Sequence, residues 1–154
     1  MYRLRMVWGV LIEATVTNSE GRTAQFRISG KVASGQLSTL SFAAENPLVA
    51  LLLSEELKLR GSEPHPACRK IVLVPEHNAV DVTLQFKDDQ FDVRPAILRL
   101  CRTVLRTLGE ITEATVLSAT PSTPEYVDDE GNVIDSTSLW QQYATAWLPA
   151  PTTP

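Results

Sequence analysis

Between Val80 and Lys87 the side chains alternate without a break. Val80, Val82, Leu84 and Phe86 are apolar, and Asp81, Thr83, Gln85 and Lys87 are polar. Successive side chains of a strand point to opposite faces, so this stretch specifies a strand with one face in a core and the other in water. Its apolar face must be covered by a second layer, so the chain has to supply both partner strands and a layer to pack on them.

The rest of the sequence provides both. Val7 to Thr17 is rich in β-branched residues, and Arg22 to Ser29 places Ala24, Phe26 and Ile28 on one face. The turn-forming run Asn18 to Gly21 lies between them, so the pair reads as a β-hairpin. Gly30 to Gly35 reads as a loop, Leu37 to Phe42 as a short strand, and Arg69 to Val74 as a strand leading through Pro75–Asn78 into the alternating one. Asn46 followed by Pro47 is an N-cap with proline at the first helical position, and Gly61 is a stop, which predicts a helix between them. A second helix is predicted from about Val93 to Gly109, capped by Asp92. Its apolar set is Ile97, Leu98, Cys101, Val104, Leu105 and Leu108, at helical spacing. Ile111 to Leu117 fits a final strand. The predicted class is α+β: a small antiparallel sheet of three core strands plus the N-terminal hairpin, with two helices packed on one face. The division that follows is an α+β domain over 1–119, with a hairpin extension at 1–35 and a core at 37–109, and an acidic, proline-containing tail over 120–154.

Composition narrows the classes. At 154 residues, 44% hydrophobic and 21% charged, the chain has an ordinary globular make-up with enough length for a core that needs no metal or disulfide staple. The longest strongly apolar stretch, Pro47 to Leu53, is far below the roughly 20 residues of a membrane span. The N-terminal apolar run stops at Glu13 without a small-residue cleavage site and is not read as a signal peptide. Two cysteines, Cys68 and Cys101, make no disulfide framework and fit a reducing compartment. The net charge of −4 is unevenly spread: residues 110–154 carry seven acids and no Lys or Arg, while residues 1–109 carry eleven acids and all fourteen bases, which is +3. A mildly basic body with an acidic tail suits an RNA-contacting body, a tail that shields a basic face, or a plainly solvated tail.

Sites for chemistry are sparse. His65, Cys68, His77 and Cys101 are the soft ligand candidates, and no second close pair completes a tetrahedral metal site beside His65–Cys68. No glycine-rich phosphate loop, nucleophile elbow or metalloprotease helix motif is present, so no catalytic residue, metal or cofactor is assigned and the chain is not read as an enzyme. Asp88 and Asp89 before Asp92 read as a solvated connection with a cap. Arg99, Arg102 and Arg106 share one face of the second helix, with Arg94 at its start. Guanidinium forks suit phosphate, and a solvated face is the plainer alternative. Leu48, Val49, Leu51, Leu52, Leu53, Leu57 and Leu59 surround the first helix, more than one sheet face can cover, so a second surface must receive some of them. In the tail, Leu139, Tyr143 and Trp147 recur at every fourth residue beside Trp140. A short helix would align them, either packed back on the domain or presented to another chain.

Three stretches, Leu40 to Leu57 (LSFAAENPLVALLLSEEL), Arg69 to Leu73 with Val82 to Lys87, and Asp92 to Ile111 with its Val93–Arg94 opening, follow one another as strand, helix, strand, strand, helix. In that order and pattern, residues 37–109 resemble the Pcc/CTAG family, the small accessory subunits of the KEOPS complex, which takes part in threonylcarbamoyladenosine modification of tRNA. The resemblance implies a three-stranded sheet with two helices on one face. It also implies a non-catalytic scaffold whose helices pack on the catalytic tRNA threonylcarbamoyltransferase subunit, dimerisation through the sheets, and tRNA reached through the complex. Leu48, Leu52, Leu98 and Leu105, with Trp140, Tyr143 and Trp147, are the partner-binding candidates, and Arg94, Arg99, Arg102 and Arg106 the RNA-binding ones. A cytoplasmic location is expected, nuclear as well in a eukaryote. The alternative, from a different class, is a small immunity- or inhibitor-type protein whose acidic tail blocks a toxin or nuclease.

Overall fold

The computed structural model describes residues 7–59, 65–87, 93–118 and 136–149. Six strands form one sheet: β1 (Val7–Thr17), β2 (Thr23–Ala33), β3 (Ser38–Ala44), β4 (Cys68–Val74), β5 (Ala79–Leu84) and β6 (Glu110–Ser118). Three helices accompany it: α1 (Pro47–Leu59), α2 (Arg94–Leu105) and α3 (Ser136–Thr145). The strand order is β4-β5-β3-β2-β1-β6, and every neighbouring pair is antiparallel. The class is α+β, as the periodicity predicts.

Register follows hydrophobicity across all six strands. Ile12 lies opposite Ile28 and Val116, Ile28 opposite Phe42, and Phe42 opposite Val80, which lies opposite Leu73. All of these point to the face that carries the helices, and all but the half-buried Leu73 are fully inside. No described helix covers the opposite face, where Thr15, Ser29, Ser41, Asp81 and Thr83 are half-buried along the rows. α1 lies over β3, β5 and β4, and α3 over β6, where it touches α2. No helix among the described residues is long and apolar enough to cross a membrane.

The first helix starts as its capping signal dictates. Asn46 Oδ1 accepts the Leu48 N–H at 2.9 Å, and the Asn46 carbonyl accepts the Val49 N–H at 3.0 Å. The β4–β5 connection is a 3-10 turn over Pro75–His77 closed by Asn78 in the left-handed conformation at φ 48°. Gly61 and Asp92 lie outside the described residues, and Val93, not Asp92, is the residue that precedes the first turn of α2.

Three expectations change. The Gly30–Gly35 loop is mostly strand: β2 runs on through Ala33, and Gly30 pairs with both Val10 and Leu40. A Cβ at Gly30 would collide with the Thr39 carbonyl oxygen, so glycine here permits close approach of two strands rather than a break. The second helix ends at Leu105, not Gly109. The chain then tightens, with Thr107 and Leu108 donating to carbonyls three residues back. Gly109 is there because its backbone lies against the Thr17 carbonyl. The final strand predicted at Ile111–Leu117 is present, and it joins the free side of β1, so one sheet of six strands replaces the expected three core strands plus hairpin. The tail helix also belongs to the same core: Trp140, Ala144 and Trp147 are buried with the residues of the sheet.

Candidate interaction surface

α1 is the element with more apolar surface than its fold consumes. Ala50, Leu53 and Leu57 face the sheet. Leu48, Leu51, Leu52 and Leu59 stay 65%, 43%, 56% and 76% exposed. Leu48, Leu52 and Leu59 lie within about 40° of one another at 100° per residue, so they form one outward ridge. Glu55 shares that ridge and holds Lys58 at 3.9 Å. Beside the ridge a groove of about 330 Å³ separates α1 from the β1–β2 turn. Leu48, Val49 and Leu52 form one wall, Val16, Ala24 and Leu108 contribute the apolar surface opposite, and Asn18, Glu20 and Arg22 form the rim.

The sequence candidates divide between surface and interior. Leu48 and Leu52 are on the ridge, so they remain candidates for contact with a partner. Leu98, Leu105 and Trp140 are fully buried and Trp147 nearly so, and they are corrected from partner-binding to core positions. The reason is helical phase: Leu98 and Leu105 lie on the face of α2 that also buries Ile97, Cys101 and Val104. Tyr143, at 36% exposure, lies at the margin of α3. The Leu139 side chain and the acids of 120–135 lie outside the described residues.

Arg99, Arg102 and Arg106 are exposed on the outer side of α2, as their spacing requires. Arg94 is corrected: it is 2% exposed, with its guanidinium 4.5 Å from the centre of the Trp8 ring. It belongs to the buried phase 94, 98, 101, 105 rather than to the arginine stripe, and the aromatic face supplies part of the stabilisation that water gave up. Trp140 meets Trp8 edge to face at 6.4 Å, so the three side chains join α2, β1 and α3. The helical phase of Arg94 was the signal in the sequence that could have placed it.

His65 lies within the field of the Arg99 charge. Its Nδ1 accepts the Ala67 N–H at 3.1 Å, which leaves the proton on Nε2, and its ring meets Phe86 edge to face at 6.2 Å. Burial lowers its pKa below the ordinary 6.5, and the Arg99 charge lowers it further. Cys68 and Cys101 are buried and form no disulfide. Burial, with Cys68 nearby, pushes the Cys101 thiol far above its usual range. No group of three or more His, Cys, Asp or Glu side chains among the described residues could hold a metal ion.

The open face of the sheet carries a second concavity, of about 340 Å³, that the sequence reading missed. Thr15, Gln25, Ala43 and Thr115 line it together with Glu45, Glu113 and the Glu13–Arg27 ion pair at 2.8 Å. Its residues come from four strands and the turn between β3 and α1, so only the strand order brings them together. No family model, no curated protein and no solved structure matches this chain.

Proposed function

We propose that this chain is a non-catalytic docking subunit that binds a larger partner through α1, and that the partner is the transferase subunit of a KEOPS-like complex acting on tRNA. The observation that carries the reading is the ridge of Leu48, Leu52 and Leu59, flanked by Leu51, on a helix whose other face already fills the core. Exposed Leu48, Leu51 and Leu52 form an apolar patch of the kind that marks an interaction site, with Glu55 separating it from Leu59 one turn further on. The chain order β3-α1-β4-β5-α2, with strand order β4-β5-β3 and α1 over those three strands, supports the reading, while α2 packs mainly against α3 and β6. Arg99, Arg102 and Arg106 are then phosphate contacts for tRNA, with no base reading, in the cytoplasm or, in a eukaryote, the nucleus.

Pull-down with the tagged full chain at mild salt tests the reading. A tRNA-modification subunit should co-purify with the parent and be lost with Leu48→Glu and Leu52→Glu, whose exposed positions leave the fold intact. Recovery of no such subunit with the parent chain would overturn it. In the captured complex, replacing Arg99, Arg102 and Arg106 by Gln should lower the salt slope of tRNA binding by roughly 0.7–0.9 for each lost phosphate contact. An unchanged slope and affinity would make the arginines a solvated face and leave only the scaffold half standing.

A further inference from the structure

The groove of about 330 Å³ between α1 and the β1–β2 turn has two parts of opposite character. Its walls are aliphatic: Leu48, Val49 and Leu52 on one side, Val16, Ala24 and Leu108 on the other. No aromatic ring lines it. Its polar lining is gathered around the turn and the start of α1, at Asn18, Glu20, Arg22, Thr23 and Asn46. Small-molecule sites share this division, an apolar interior with a few polar groups that fix one end of the ligand. The volume lies at the lower end of their usual range of roughly 300–1,000 Å³.

The polar end offers donors that the fold leaves unused. Asn18 Oδ1 accepts the N–H groups of Glu20 and Arg22, both at 2.9 Å, which fixes the amide and leaves its NH2 group without a partner among the described residues. Asn46 is set in the same way, with Oδ1 on the Leu48 N–H and the NH2 group unused. Arg22 meets Glu20 through Nε at 3.9 Å, so its two terminal nitrogens make no ion pair among the described residues. Glu20 is the single acid of the lining. Two amides and a guanidinium fork at the mouth of an aliphatic slot suit an anionic oxygen head on an aliphatic tail. An ammonium head would find Glu20 alone, and a planar ring would find no aromatic face to stack on.

We propose that this groove binds a free straight-chain fatty carboxylate, with the tail between α1 and the β1–β2 hairpin and the carboxylate at Arg22, Asn18 and Asn46. Each methylene taken out of water should tighten binding by up to about fourfold until the slot is full. The site lies on the flank of the α1 ridge and does not depend on which partner that ridge receives. Arg22 and Ala24 belong to the groove and not to the ridge, so the two surfaces can be altered separately.

The experiment titrates the full chain with octanoate and with decanoate, below the concentrations at which they aggregate, and follows amide and methyl resonances by NMR. Saturable shifts are expected at Ala24, Val49 and Leu108, with decanoate up to about fifteenfold tighter than octanoate. Arg22→Gln should weaken decanoate roughly two- to fivefold, as befits an exposed charge, and leave decanol unaffected. Ala24→Phe fills the slot and should abolish binding of both, whereas Leu59→Glu, on the ridge, should change neither. Should Ala24→Phe fail to fold, Arg22→Gln in the exposed turn still separates head-group recognition from adsorption of a tail. The proposal is overturned if no saturable shift occurs, if decylamine binds as tightly as decanoate, or if the shifts centre on Leu51 and Leu59 instead of the groove. Any of these results beside an intact pull-down of the α1 partner removes this site alone and leaves the docking function in place.

Discussion

Leu52 and Leu53 are adjacent on α1 and chemically identical, yet one is 56% exposed and the other fully buried. Truncating each to Ala separates what holds the fold from what remains available to a partner. At Leu53 the loss combines transfer energy with the cavity left under the helix, about 2–5 kcal/mol. At Leu52 less than half of the side chain leaves water on folding, and Ala has the higher helix propensity, so the net change should be about 1 kcal/mol or less. With a urea m-value of roughly 2 kcal/mol/M, Leu53→Ala should lower the unfolding midpoint by about 1–2.5 M and Leu52→Ala by a few tenths. Chemical denaturation followed by tryptophan fluorescence measures both. Equal losses would refute the reasoning, because they would mean that Leu52 is also packed and that α1 presents no free ridge.

Three further outcomes follow from the same geometry. The depressed His65 pKa means that the unfolded chain binds the proton more readily. Stability should therefore be full above the ordinary 6.5 and fall as the pH drops through that value toward the folded-state pKa. Denaturation at a series of pH values should show the decline, and His65→Asn should flatten it. Cys68 and Cys101 are enclosed, and the Cys101 thiol stays protonated, so neither should react with iodoacetamide until the chain unfolds, as mass spectrometry would report. Gly30→Ala should destabilise by more than 1 kcal/mol, since its Cβ has no room beside the Thr39 carbonyl, whereas Gly21→Ala meets no neighbour and loses only the ease of its φ of +79°. Thermal melts of the two variants provide the comparison.

Most of the fold was legible because its signals are local. Alternation at Val80–Phe86 specified a strand and its buried face, and Asn46–Pro47 specified where α1 begins. Alternation says which face of a strand is buried but not which strand lies beside it. The addition of β6 to β1 could therefore not be read from Ile111–Leu117, and neither could the cleft that unites Glu13, Glu45 and Glu113. Gly30 misled for a similar reason: its function is set by Thr39 and Leu40 on another strand. On α1 the sequence showed an excess of leucine without saying which leucines would stay outside, because that depends on where the helix rests on β3, β5 and β4.

Arg94 shows how a residue type can outweigh its position in sequence reasoning and what the correction does to the function. Arginine is usually solvated, and its place at the start of α2 invited its inclusion in a phosphate-binding stripe. Its phase with Leu98, Cys101 and Leu105 assigns it to the core, where Trp8 lies against its guanidinium and Trp140 closes the group from the side of α3. The basic face of α2 thus has three members rather than four. Three phosphate contacts set an upper bound of about 2–3 on the salt slope that this helix alone can contribute. A steeper slope in the assembled complex would have to come from the partner or from cations elsewhere on this chain. The same correction takes Trp140 and Trp147 out of the set of partner anchors, so the proposed recognition of a larger subunit rests on α1.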